Sequence, residues 1–274
     1  MLYLILGVIC SVAIGNMLSY FNRDPKSKIF LIFLGNYFTA SIFSFVSLKP
    51  STANFGLFEI LLGSFGGFLF LTNFIIYRTN IKINGLSLSV SAMRVSLIIP
   101  TIISILIFNE SIALINYIGI GVIIFSFMFA VDTKNFHNIF WILFLFTLTG
   151  LTDSLLKIYD EIGNQSNDSF IFMIFSSAFF FTLIVVLSRK TKFQLRSILY
   201  GLSLGIPNQL TTKFFMKGLE TVKAAISYPF FASAIVLFSI ISDIFIWKKK
   251  FNLKERLAFA FIIIGIVFLN ISNH

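Results

Sequence analysis

Unbroken apolar runs of about 20 residues recur from one end of the chain to the other, and short polar segments separate them. A helix that crosses the hydrocarbon core of a bilayer needs about 20 such residues. A transmembrane β-barrel would instead need alternating strands of about 10 residues. The pattern therefore predicts an all-α polytopic membrane protein with ten transmembrane helices, near residues 2–20, 29–48, 56–77, 84–108, 112–131, 138–157, 168–188, 197–217, 222–247 and 254–272.

The composition favours the same class. Of the 274 residues, 57% are hydrophobic and 12% are charged, whereas a soluble domain is about half apolar and about a quarter charged. The first apolar run lacks a basic leader and a small-residue cleavage site, so we expect it to remain as a span. The connecting segments are too short to form a soluble domain. We expect a multi-pass protein of the cell (inner) membrane.

Glycines and polar residues recur between the two halves of the chain at an offset of about 139. Gly63-x-x-x-Gly67 recurs as Gly201-x-x-x-Gly205, and Glu110 at the end of the fourth span falls on Lys249. This predicts two five-helix repeats, residues 1–135 and 136–274, which together form one transmembrane domain. Because five is odd, the second repeat must enter the membrane inverted. Inverted repeats are typical of secondary transporters, which bind solute near the midplane where the repeats meet.

The fourth span combines a charge with a helix breaker. A charged residue in a spanning helix costs about 2.5–3.5 kcal/mol on insertion scales, so Arg94 is expected to face a protein interior or a wet cavity. Pro100 removes a backbone donor and bends the helix, which a membrane tolerates only where neighbours or water satisfy the freed carbonyl. The span therefore indicates a polar pathway.

Few other polar side chains lie inside the spans, and these are the candidates for binding solute. Asp153 and Lys157 are spaced i,i+4 on one helix and either neutralise each other or serve a solute or proton. Arg94 either balances Asp153 or binds an anionic group, for which a carboxylate suits its planar fork. Glu110 is predicted to be a cap or loop contact. The predicted substrate-binding residues are Asn16, Asn73, Arg94, Asp153, Lys157, Asn208, Gln209 and Tyr228, and the predicted hinges are Pro100 and Pro229.

The sequence carries no enzyme signature. His137 and His274 cannot form a His-Glu-x-x-His metal site, and the single Cys10 offers no metal cluster. No P-loop occurs, and the Gly-x-Ser-x-Gly pattern of residues 201–205 lies inside a predicted spanning helix, without the strand-to-helix turn of a nucleophile elbow. We therefore predict no catalytic residue, no metal and no cofactor, and uphill movement would draw on an ion gradient or an exchanged solute.

The formal charge of +10 does not indicate a nucleic-acid partner. Most of the basic residues lie in short loops, where membrane topology places them. The densest group, Arg189, Lys190, Lys192 and Arg196, lies at a helix end without the aromatic platforms of a single-strand binder.

The long fourth span, with Ser96, Ile99, Pro100, Ser104, Phe108 and Glu110, resembles the drug/metabolite transporter superfamily, EamA-like branch. Gly119 and Gly121 of the fifth span, Gly205-Ile-Pro207-Asn208, and Tyr228-Pro229 resemble corresponding positions of that family. The resemblance implies a central cavity lined by both repeats and worked by alternating access. It also implies substrates among amino acids, other metabolites, nucleotide sugars or drugs. One departure is Lys248-Lys249-Lys250, which replaces the family's second span-end glutamate.

Two arguments disagree about the orientation of the chain in the membrane. Loops after odd-numbered spans carry 15 Lys and Arg residues against 5 in the others, with Lys157 and Lys213 counted at their span ends. The positive-inside rule then places both termini outside, whereas the resembled family is usually drawn with both inside.

The sequence thus predicts a secondary active transporter, an exporter or exchanger of a small organic metabolite such as an amino acid. The alternatives are an intramembrane enzyme acting on a lipid-linked substrate, or a channel. The expected partners are a small-molecule solute, membrane lipid, and a coupling ion or exchanged solute, with the protein a monomer or homodimer.

Overall fold

The computed structural model describes the chain apart from residues 22–23, 25, 49–54, 85, 131–137, 247, 249–252 and 271–274. The predicted repeat boundary at 135/136 therefore lies outside the described residues, as do His137, Lys249, Lys250 and His274. Within the described ranges every regular element is an α-helix, which confirms the all-α class. The helices are α1 Leu2–Phe21, α2 Ile29–Ser47, α3 Leu57–Asn84, α4 Leu86–Val95, α5 Ile98–Leu106, α6 Leu114–Ala130, α7 Ile139–Ile162, α8 Asn167–Ser188, α9 Leu195–Leu219, α10 Ala224–Phe245 and α11 Leu253–Asn270.

Six of these helices are long and apolar enough to cross a membrane: α1, α2, α3, α7, α8 and α10. Shorter apolar stretches cover Ala92–Leu106, Leu114–Phe129 and Arg256–Leu269. Phenylalanine, leucine and isoleucine side chains stay exposed along many helices. Such surfaces suit a lipid environment, so the protein is a membrane protein with several apolar helices.

The predicted loop after the third span is helical instead. The third helix, α3, continues to Asn84, and two asparagines of this extension bind backbone at the start of α7. Asn80 donates to the carbonyl of Trp141 over 2.7 Å, and Asn84 donates to the carbonyl of Asn138 over 3.1 Å. The polar segment is thereby held inside the protein rather than released as a loop.

Pro100 is predicted to bend the fourth span, and in the structure the helix is broken there, between α4 and α5. Pro100 has no N–H to donate to the Ser96 carbonyl four residues earlier. The N–H of Ile99 donates to that carbonyl instead, over 2.9 Å, in a tighter turn. The helix therefore stops at Val95 and resumes at Ile98.

The chain divides into two compact units, each built from segments of both halves. The first unit comprises Leu2–Thr72 and Ile158–Lys217, and the second comprises Met1, Asn73–Lys157 and Gly218–His274.

In the first unit α2 packs against α8. The hydroxyls of Ser41 and Ser176 lie 2.8 Å apart, and the rings of Phe38 and Phe179 are 5.5 Å apart between centroids. The residue numbers of the contacting partners therefore rise along α2 as they fall along α8, which means that the two helices are antiparallel.

Glycines let two further helices of the first unit approach closely. A Cβ on Gly67 of α3 would lie 2.6 Å from the Ala178 nitrogen of α8, and one on Gly205 of α9 would lie 2.9 Å from the Ala40 nitrogen of α2. The second crossing repeats the first with every residue displaced by 138 positions. Each crossing requires a residue without a side chain.

In the second unit α6 packs against α11. A Cβ on Gly119 would lie 3.0 Å from the Gly265 carbonyl oxygen, and the Ser126 hydroxyl donates to the Ala258 carbonyl over 2.6 Å. These helices are also antiparallel, and a displacement of 139 converts the first contact into the second.

The ends of α5 and α10 repeat each other at the same displacement. The N–H of Ile107 donates to Ile103 over 2.9 Å, and that of Ile246 donates to Ser242 over 2.7 Å. Two residues beyond each of these caps, the backbone is left-handed, with φ of 52° at Asn109 and 51° at Lys248.

Candidate functional site

The structure divides the predicted site residues between the two units. Asn73, Arg94, Asp153, Lys157 and Tyr228 belong to the second unit, as do both predicted hinges, whereas Asn16, Asn208 and Gln209 belong to the first.

In the second unit, polar side chains line one face of α3 and one face of α7, and these two stripes border the candidate site. Asn73 and Tyr77 are one turn apart on α3, and Thr149, Asp153 and Lys157 follow at successive four-residue steps on α7. Residues at this spacing share a helix face. The Thr149 hydroxyl donates to the side-chain oxygen of Asn73 over 2.8 Å, which fixes the two stripes against each other.

Arg94 occupies the last turn of α4, immediately before the break in the fourth span. A cation is favoured there because the helix C-terminus carries a partial negative charge. The guanidinium interacts electrostatically with the Asp153 carboxylate and the Tyr77 hydroxyl. Both Arg94 and Asp153 are half-buried and keep accessible surface. Among the described residues the two form no direct ion pair.

A close helix contact positions these two charges. Gly150 of α7 packs onto Ile99 of α5, where an added Cβ would come within 2.7 Å of the Ile99 Cβ. Asp153 lies almost one helical turn beyond Gly150 and Arg94 lies just before the break. The contact therefore holds the carboxylate and the guanidinium in one region.

Lys157 forms an ion pair with Glu110. The sequence had offered Asp153, its neighbour on α7, as the partner that neutralises it. The lysine Nζ lies 2.6 Å from Glu110 Oε1, and the two side chains are only 3% and 11% exposed. The same carboxylate accepts the N–H groups of Ala224 over 3.1 Å and Ala225 over 2.8 Å at the start of α10. The predicted cap role of Glu110 is thus confirmed, and its charge draws the ammonium away from the α7 neighbour.

Tyr228 is a buried residue that contacts the backbone beside one of the charges. It is 5% exposed, and its hydroxyl donates to the Asp153 carbonyl over 2.7 Å. This bond ties α10 to α7 beside the charges.

The two predicted hinges differ in local structure. The fourth span is interrupted four residues before Pro100, whereas α10 continues through Pro229. In both helices a hydroxyl four residues later binds the proline carbonyl, from Ser104 over 2.8 Å and from Ser233. Movement at either proline stays a prediction.

The first unit holds the remaining three residues. Asn208 donates to the side-chain oxygen of Asn36 over 3.2 Å. Gln209 is 1% exposed, and its amide nitrogen has no hydrogen-bond partner among the described atoms. Asn16 donates to the Val12 carbonyl of its own helix over 2.9 Å.

Sequence reasoning missed Tyr77 and Thr149 as members of the site. Tyr77, at the end of the third predicted span, and Thr149 were not singled out, yet each is spaced i,i+4 from a recognised candidate. Extending the search along each helix face by four residues would have found both. No group of three or more His, Cys, Asp or Glu side chains able to hold a metal occurs within the described ranges.

No family model matches the chain. A protein of Haemophilus influenzae described as uncharacterized is 26% identical over 233 residues, which cover 80% of this chain and 79% of that protein. A solved crystal structure of a protein matches with a TM-score of 0.77 at 11% identity, over 98% of this chain and 96% of the other. At that identity the likeness shows a shared fold alone.

Proposed function

We propose that the protein is a secondary active transporter that exports or exchanges a small organic metabolite, such as an amino acid, by alternating access. The observation that carries the proposal is the pair Arg94 and Asp153. Opposite charges inside apolar helices are costly, and proteins keep them mainly where they serve a solute or ion pathway. Both residues are only partly buried, and Arg94 lies beside a helix break.

The paired helices support an inverted-repeat architecture. In the proposed ten-span chain, α2 and α8 are the second and seventh spans, and α6 and α11 are the fifth and tenth. Equivalent spans thus pack against each other antiparallel, as inversion requires, and their contacts recur at displacements of 138 and 139. This architecture is typical of secondary transporters.

Reaching ten spans requires α4 and α5 together to form one crossing, with α6, α9 and α11 as three more. Discontinuous helices in transporters tolerate exposed backbone because it lines a cavity or is satisfied by neighbours. The break before Pro100 fits that role, and the resemblance to the EamA-like branch of the drug/metabolite transporters points the same way. We assign the protein to the cell inner membrane.

Solute exchange in liposomes tests the proposal. Purified protein is reconstituted into vesicles loaded with a mixture of unlabelled amino acids, and uptake of the same amino acids in radiolabelled form is followed over time. We expect saturable uptake that is accelerated by the internal solute. Flux that does not saturate and shows no counterflow would identify a channel instead.

The Arg94→Ala variant is the matched test of the site. It should reach the membrane in normal amounts yet lose exchange. Wild-type exchange by this variant would refute the role of Arg94.

A further inference from the structure

Four charged side chains of the second unit are buried or half-buried among its described residues: Arg94, Glu110, Asp153 and Lys157. Two are positive and two are negative, so their formal charges cancel. These four described side chains together therefore favour neither an anion nor a cation through their net charge.

The four charges are not equivalent. Glu110 and Lys157 form a direct ion pair that is almost wholly buried, so neither is offered to a solute. Arg94 and Asp153 keep accessible surface and have no direct ion pair among the described residues, although each feels the other electrostatically. A separated pair of this kind leaves both charges able to bind a ligand.

We infer that the transported solute is a zwitterion whose carboxylate binds Arg94 and whose ammonium group binds Asp153. This inference rests on the proposed function. A guanidinium binds a carboxylate through two parallel hydrogen bonds, and a carboxylate accepts an ammonium in charge-assisted bonds. A solute with only a carboxylate would meet Asp153 as a like charge, and one with only an ammonium would meet Arg94 as a like charge.

The geometry of the helices fits this arrangement. Arg94 comes from the end of α4 and Asp153 from the middle of α7, and the contact of Gly150 with Ile99 holds these segments together. Since the two charges belong to different helices, a zwitterion that bridges them would also couple α7 to the broken span.

Ligand-induced stabilisation of the purified protein in detergent tests the inference. The shift in unfolding temperature is measured for each of the twenty standard amino acids, and for the N-acetyl and amide derivatives of those that stabilise most. The first derivative removes the positive charge and the second removes the negative charge. We expect the parent amino acid to bind at least about tenfold more tightly than either derivative, since each lacks one charge-assisted interaction. Equal or tighter binding of a singly charged derivative, or no stabilisation by any amino acid, would overturn the inference.

Single-charge variants give a second readout that a structural role would not produce. Arg94→Gln should lose its discrimination against the amide, and Asp153→Asn should lose its discrimination against the N-acetyl derivative. If the pair only neutralises itself, the double variant would regain wild-type binding of the amino acid, and that result would refute the inference. The control is Asp168→Asn with Lys213→Gln, which removes the 2.9 Å ion pair of the first unit and should leave selectivity unchanged.

The outcome separates this inference from the proposed function. Exchange of singly charged solutes in liposomes, without binding of zwitterions, would refute the inference and leave the transporter. Binding of zwitterions without flux would leave the assigned site and refute transport.

Discussion

The buried pair of Glu110 and Lys157 gives the sharpest test of how the second unit is held together. The Glu110 carboxylate binds the Lys157 ammonium at 2.6 Å and accepts two N–H groups at the start of α10. Glu110→Gln removes the charge that balances a lysine only 3% exposed. Breaking a buried pair in this way costs about 3–5 kcal/mol, mainly because the remaining charge stays uncompensated.

Three further variants separate the contribution of the ion pair to stability from the contribution of the hydrogen bonds that Glu110 accepts from α10. Glu110→Ala also removes the acceptor for the two N–H groups of α10, which adds about 0.5–2 kcal/mol. Lys157→Met leaves a carboxylate that the helix N-terminus still stabilises, so its cost should fall toward the lower end of the ionic range. The double change of Glu110→Gln with Lys157→Met removes both charges and should be far less harmful than the sum of the single changes.

The assay is the amount of monodisperse protein that survives heating in detergent, measured by size-exclusion chromatography for the four variants. The matched control is Lys213→Met with Asp168→Asn, an ion pair with side chains 19% and 27% exposed. Because this pair is more exposed than that of Glu110 and Lys157, we expect its removal to cost less. Single changes at Glu110 and Lys157 that cost no more than this control, with no recovery in the double variant, would refute the reasoning.

Three other predictions test the packing. Gly119→Val should disrupt the contact of α6 with α11 and lower folded yield, whereas Gly121→Val should be tolerated because nothing lies within 4 Å of an added Cβ there; equal yields would contradict the close approach. Pro100→Ala restores the missing donor and should make the fourth span one continuous helix, with exchange in liposomes reduced; unchanged exchange would contradict its predicted hinge role. Cysteines at Ser41 and Ser176 in a chain without other thiols should form a disulfide on mild oxidation, since the two hydroxyls are 2.8 Å apart; failure to crosslink in folded protein would contradict the antiparallel pairing.

The lengths of the apolar runs predicted the class of fold, and Pro100 predicted a bend in the fourth span, which the structure shows as a break. These features depend on local chemistry: the length of an apolar run, or the donor that Pro100 lacks. The length of α3 was predicted wrongly. Polar residues 78–84 were expected to form a loop, whereas Asn80 and Asn84 bind the backbone of Trp141 and Asn138, which are distant in sequence.

The partners of the site residues were harder to predict than the residues. Arg94 and Asp153 were identified because charges are rare inside apolar runs. The partner of Lys157 was not identified, since Glu110 lies 47 residues away along the chain, whereas helix spacing compares only near neighbours. Contacts between helices decide which of two available acids a lysine binds.

The attachment of Glu110 to α10 has a consequence for how the second unit can move. Its carboxylate binds the ammonium of Lys157 on α7 and two N–H groups at the start of α10, and the residue itself follows the end of α5. A single side chain therefore couples three helices that are far apart in sequence. We expect a displacement of any one of these helices to be transmitted to the other two, and we expect loss of the carboxylate to uncouple them.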